Sequence, residues 1–133
     1  MSTTAGRATE LAIEPIDRLK LCFMTAALED PNPVHVDEPF AQARGLPSVI
    51  AHATVPYGAL GIMLERWVGL EHVRRLSVRF LKSVYPGDAL TAHGSIDPEP
   101  DADGLWSVRL EVRNQDGVVV SAGTSLIDRV PEG

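Results

Sequence analysis

The sequence predicts an α+β domain in which an antiparallel β-sheet wraps around one long central helix. Three observations predict it. Val55 to Leu64 carries no charge on any face, and a helix that is apolar all round is expected to be buried all round. Beyond Gly69, four runs mix β-branched and apolar residues with polar ones in partial alternation, as strands with one covered face do. Turn chemistry separates these runs at Pro86-Gly87-Asp88, at Asp97 to Gly104 and at Asn114-Gln115-Asp116-Gly117. A chain of 133 residues is one domain by default and buries about two-thirds of its unfolded surface. At that size, a sheet curled over a helix is the architecture that encloses it.

The elements follow in order. Residues 1 to 8, rich in Ser, Thr and Gly, read as a flexible N-terminus, and Thr9 to Ile13 as a short strand. Leu19, Leu21, Cys22, Phe23, Ala26, Ala27 and Leu28 recur at near-helical spacing, which predicts a helix from about Ile16 to Leu28 with Cys22 in the core. Asp37-Glu38-Pro39 opens a short helix that Gly45 ends. The central helix is expected over Ala53 to about Val68, with Thr54 as N-cap and Pro56 in its first turn, where a missing N–H is harmless. Strands are expected at Val73 to Val84, Ala89 to Ile96, Leu105 to Arg113 and Val118 to Ile127, joined as an antiparallel meander. The acidic stretch Asp97 to Asp103 lacks the ligand pattern of a calcium loop and reads as a solvated hairpin connection.

Composition narrows the function classes. A net charge of −6 argues against nucleic acid or an anionic membrane as the principal partner and favours a neutral or small-molecule ligand. Cys22 is the only cysteine, so no intramolecular disulfide or cysteine-based metal cluster can form, and no metal site is expected. Met1 to Glu10 has no apolar core of a secretory signal. The longest uncharged apolar stretch, around Ala51 to Leu64, is short of the ~20 residues of a membrane span. The expectation is a cytoplasmic protein.

Chemistry is concentrated in Asp30-Pro31-Asn32-Pro33-Val34-His35. Two prolines fix φ and push the preceding residues out of the α region, so the segment is a stiff turn. A carboxylate and an imidazole five positions apart on such a turn can converge on one small volume, as acid–base chemistry requires. The same residues are also good turn formers, and Asp30 or Asn32 could simply cap a helix. Arg74, Arg75, Arg79 and Lys82 form the one basic cluster, suited to phosphate groups or to a solvated strand face. His72 and His93 have no partners at metal-ligand spacing and read as surface or edge residues.

Three motifs together resemble the MaoC-like dehydratases, a hotdog-fold family that includes the (R)-specific enoyl-CoA hydratases. Asp30 to His35 resembles the D-x-N-P-x-H signature. Ile50-Ala51-His52-Ala53 resembles the V/I-x-H-G segment that leads into the central helix. Val78 to Leu90 resembles the V-R-F-x-x-P-V-x-P-G-D-x-L strand and turn, with Ser83 in place of its first Pro. The resemblance covers about Thr9 to Ile127. It implies that Asp30 and His35 are the catalytic pair that holds water beside the C2–C3 bond of an acyl thioester. It also implies that the backbone N–H at Ala53, where the family carries Gly, donates to the thioester oxygen. Glu29 stands where Gly is commoner before the signature Asp. Asn32 and His52 belong to the same binding region, Asn32 as the residue that pins the turn and His52 as a hydrogen-bonding residue at the start of the helix.

The implied activity is reversible hydration of 2-enoyl thioesters and dehydration of (R)-3-hydroxyacyl thioesters. No cofactor is expected beyond the CoA or phosphopantetheine arm that carries the acyl group, and the basic cluster would meet its phosphates. Tyr57, Met63 and Trp67 are candidates to line or block an acyl tunnel. Two alternatives remain at this stage: a hotdog thioesterase, for which no acid precedes Glu65 on the central helix, and an acyl-binding or partner subunit of a heteromeric dehydratase. A homodimer or heterodimer is expected, because a lone hotdog leaves a sheet edge unpaired.

Overall fold

A computed structural model describes residues 6–132. Five antiparallel strands, β1 (Ala8–Ile13), β2 (Val73–Phe80), β3 (Leu90–Ile96), β4 (Trp106–Arg113) and β5 (Val119–Ile127), form one sheet in the order β1-β3-β4-β5-β2. Three α-helices, α1 (Arg18–Ala27), α2 (Glu38–Ala43) and α3 (Thr54–Trp67), lie between β1 and β2 in the chain. This is an α+β hotdog, with α3 packed on the sheet. The expected four-strand meander holds only for β3-β4-β5. Strand β2 pairs with β5, Val78 opposite Gly123, and the chain then crosses the sheet to begin β3 beside β1. A Cβ at Gly123 would run into the Ser77 carbonyl, so this edge depends on glycine for its close approach.

Alternation on β3 turns Leu90, Ala92, Gly94 and Ile96 toward the helix, and β4 adds Val108, Leu110 and Val112. Against them α3 sets Val55, Ala59, Leu60, Met63 and Leu64, the i, i+4 positions of one face. The opposite face of α3 is not enclosed: Tyr57 is 40% and Ile62 42% exposed. The expectation of a helix buried all round is therefore corrected to one buried on its sheet side. Helix α1 is also more open than its pattern suggested. Leu21 is its one fully buried residue, while Leu19, Phe23 and Cys22 are exposed, so Cys22 is a surface thiol and not core.

Local chemistry sets the boundaries. Asp17 caps α1 through a hydrogen bond from Lys20 N–H, and Asp37 caps α2 through one from Phe40 N–H. Gly45, at φ +83°, ends the short helix region as a left-handed residue. Thr54 is the first residue of α3 and not its cap. Ala53 occupies the cap position without a side-chain bond. At the N-terminus the strand begins at Ala8, and Gly6 and Arg7 are tied down: Trp67 Nε1–H donates to Gly6 O at 3.2 Å, and Ile96 N–H donates to Arg7 O. The flexible segment expected over residues 1 to 8 thus excludes 6 to 8, and residues 1–5 lie outside the described residues. No helix among the described residues is long and apolar enough to cross a membrane.

Candidate active site

Asp30 is placed by the way α1 ends. Glu29 N–H bonds Ala26 O and Asp30 N–H bonds Thr25 O, the two reciprocal bonds of a Schellman motif, with Glu29 left-handed at φ +51°. The turn then closes on its own side chains. Asp30 Oδ1 accepts Asn32 N–H at 3.2 Å, and Asn32 Oδ1 accepts Val34 N–H at 3.1 Å, capping a single 3₁₀ turn over Pro33–His35. The turn-forming role of these residues and a site role therefore coexist. His35 is swung inward and is 8% exposed. Its Nδ1–H donates to Ile50 O at 2.7 Å, since a carbonyl can only accept. Its Nε2 faces Asp30 Oδ2 at 3.3 Å.

The link from Ser48 to Ala53 is stitched on both sides, Ile50 N–H to Val34 O and Ala51 N–H to Val84 O. It delivers His52 against His35, with ring centroids 3.8 Å apart and planes inclined by 22°. His52 is 2% exposed, and its Nε2 lies 3.2 Å from Thr25 Oγ1. Burial first, and the neighbouring His35 charge second, push its pKa below the usual histidine value, while Asp30 pulls the other way. Asp30, His35 and His52 bring one ligand-type atom each within 4.8 Å of one another. The rings are stacked, however, with planes only 22° apart, so their lone pairs lie in nearly parallel planes and are poorly placed to meet at one metal ion. The arrangement suits proton exchange.

These groups open into a cavity of about 430 Å³. Asp30, Asn32, His35 and Ala53 meet Phe80, at the end of β2, and Leu81, Lys82 and Ser83 just beyond it across the cavity. Ala53 has φ −58°, so the absence of glycine there costs no backbone strain. Its N–H makes no hydrogen bond among the described residues. Pro56, Phe80 and Leu81 are cavity residues that the sequence did not single out.

The basic cluster is dispersed. Lys82 lines the cavity, whereas Arg74, at the other end of β2, is engaged by Asp128 and the Glu71 carbonyl. Arg75 and Arg79 are exposed on the strand between and do not line the cavity. Tyr57, Met63 and Trp67 do not line it either: Met63 and Trp67 pack against Gly94, and Tyr57 lies on the open face of α3. His72 pairs with Asp128 at 2.9 Å, and His93 lies 3.5 Å from Glu10 on the outer sheet surface.

Comparison with known proteins gives these residues a context. The family model described as "MaoC like domain" matches residues 23–109, a span that contains Asp30, His35, His52, Ala53 and Lys82. A UPF0336 protein from Streptomyces avermitilis is 31% identical over 129 residues, 88% of this chain and 86% of that protein. Fatty acid synthase subunit beta from Saccharomyces cerevisiae is 31% identical over 103 residues, 75% of this chain, which spans 5% of that relative's length. Among solved structures, R-hydratase PhaJ1 from Pseudomonas aeruginosa in its unliganded form superposes with a TM-score of 0.80 at 25% identity, covering 96% of this chain and 82% of that one. The helix-ending carboxylate, the inward histidine and the free N–H at the start of α3 all lie on a chain that belongs to the MaoC-like dehydratase family, with its hotdog fold.

Proposed function

We propose that this protein hydrates 2-enoyl thioesters, and in reverse dehydrates (R)-3-hydroxyacyl thioesters, in the cavity between Asp30, His35 and Ala53. The observation that carries the reading is the 3.3 Å approach of His35 Nε2 to Asp30 Oδ2. His35 Nδ1–H is committed to Ile50 O, so in the neutral ring Nε2 is a lone pair that faces a carboxylate. Two acceptors at that distance need a proton between them or a bridging donor, and a water molecule supplies one.

In the forward direction the pair removes a proton from that water as its oxygen bonds C3. Electrons of the C2=C3 bond move toward the thioester oxygen, and the proton returns from the pair to C2. Negative charge grows on the thioester oxygen meanwhile. The Ala53 N–H, without an acceptor among the described residues and at the positive end of the 14-residue α3, is the donor available to it. The carrier arm, from CoA or a phosphopantetheinylated protein, would leave by the mouth beside Lys82, whose ammonium suits a phosphate. A thioesterase reading has less support: among the described residues Asp30 is the one acid lining the cavity, and Glu65 sits exposed at the far end of α3. The unpaired edge of β2 and the open side of α3 support a second hotdog chain as partner.

The test follows the loss of enoyl absorbance with crotonyl-CoA and longer homologues. Wild-type protein is expected to turn over at least one of them. Asp30→Asn and His35→Ala are each expected to lose on the order of 10²-fold to 10⁴-fold in kcat with unchanged circular dichroism. A wild-type protein inert across the series, or a fully active Asp30→Asn variant, overturns the reading.

A further inference from the structure

Thr25 lies in the last turn of α1 and touches both halves of the site. Its carbonyl accepts Asp30 N–H at 3.0 Å, and its hydroxyl lies 3.2 Å from His52 Nε2. The hydroxyl has a single proton, which it donates to Leu21 O at 2.9 Å. With that proton on Leu21 O, the oxygen accepts toward His52 and Nε2 carries the ring proton. The other nitrogen, Nδ1, is then a bare lone pair, and it has no hydrogen-bond partner among the described residues although the residue is 2% exposed. An unpaired buried acceptor is rare enough to call for a reason.

The stack supplies that reason. A neutral imidazole face 3.8 Å from His35 can favour a positive charge on that ring. A charged His52 would repel it and would give the Asp30 carboxylate a competing counter-ion. The titratable groups acting on His52 are His35 and Asp30, and Lys82 lines the same cavity. Burial and His35 both disfavour a second proton on His52.

We propose that Thr25 and His52 are positioning residues for the Asp30–His35 pair: the Thr25 hydroxyl fixes His52 as the neutral Nε2–H tautomer, whose ring braces His35 and keeps the mobile proton on that pair. The catalytic consequence rests on the hydratase reading, but the tautomer does not, so the two are tested apart. Long-range ¹H–¹⁵N spectra of the full chain, labelled at histidine, report which ring nitrogens are bare.

His52 is expected to show bare Nδ1 and protonated Nε2 in the folded protein at about pH 7.5. Protonated Nδ1 on His52 at that pH overturns the proposal whatever the substrate. Thr25→Val keeps the shape and removes the acceptor. It is expected to mix the His52 tautomers and to lower kcat on the order of 10-fold to 100-fold with KM little changed, and Thr25→Ser is expected to restore both. Unaltered tautomer and kcat in a folded Thr25→Val variant overturn the proposal. Should Thr25→Val fail to fold, the wild-type spectra and the Thr25→Ser variant still decide it.

Discussion

Asp30 N–H reaches back five residues to the Thr25 carbonyl at 3.0 Å, so the residue that carries the site's carboxylate is also the last link of a helix terminus. Between the two sits Glu29 at φ +51°, an exposed L-residue in a region where glycine is at ease. Glu29→Gly is expected to relieve that strain and, net of greater freedom in the unfolded chain, to raise stability by about 0.5–1 kcal/mol. Urea midpoints of the two proteins check it. A midpoint that falls would mean that the left-handed residue carries no strain. Activity should be nearly unchanged, since both Schellman bonds are backbone bonds.

Ala53 offers a clean deletion of a backbone donor. Its φ of −58° is the value proline prefers, and its N–H has no acceptor among the described residues, so Ala53→Pro removes one donor and no hydrogen bond of the fold. Loss of kcat on the order of 100-fold to 1,000-fold is expected, as for other oxyanion donors. Ala53→Gly, which keeps the N–H, should stay near wild type. Steady-state rates of the two variants side by side give the answer; a proline variant as fast as the glycine variant would remove Ala53 from the mechanism.

The buried His52 makes stability depend on pH. Its folded pKa lies below the ordinary value near 6.5. Below that value the unfolded chain binds a proton that the folded chain refuses. The contribution is therefore intact above about pH 6.5 and is lost as pH falls, with a slope of up to about 1.4 kcal/mol per pH unit. His52→Gln does not titrate, so its denaturation midpoint is expected to fall less between about pH 7.5 and about pH 5.5 than that of the wild type. Parallel curves for the two proteins would show that His52 takes up its proton equally well in both states.

The chemistry was more legible in the sequence than the packing. Two prolines forbid α-helix across Asp30 to His35, so the turn is written in covalent geometry, closing as a single 3₁₀ turn over Pro33–His35. Strand order is not local. Nothing in Val73 to Phe80 records that its partner is β5, 40 and more residues away, and the natural reading of four successive runs is a meander. Apolar pattern also fails to say what covers a face. Tyr57 and Ile62 on α3, and Cys22 and Phe23 on α1, fit a core by residue type yet remain open in the single chain. The basic residues from Arg74 to Lys82 are close in sequence, but an extended strand separates its ends by about 25 Å, so only Lys82 reaches the cavity. Thr25 went unremarked because a hydroxyl on a helix is ordinary. Its one signal was being the sole polar residue between Leu21 and Leu28.

The bonds that hold Asp30, His35, His52 and Ala53 come almost entirely from one stretch of chain, Leu21 to Ala53, with Val84 as the outside anchor. The sheet gives that stretch a floor and contributes no hydrogen bond to the two histidines or to Asp30. Sequence drift over Phe80 to Ser83 is then free to reshape the facing wall of the cavity, while the unit of Asp30, His35, His52 and Ala53 travels intact. A site built this way can change what its facing wall accepts without disturbing the bonds that hold its polar groups.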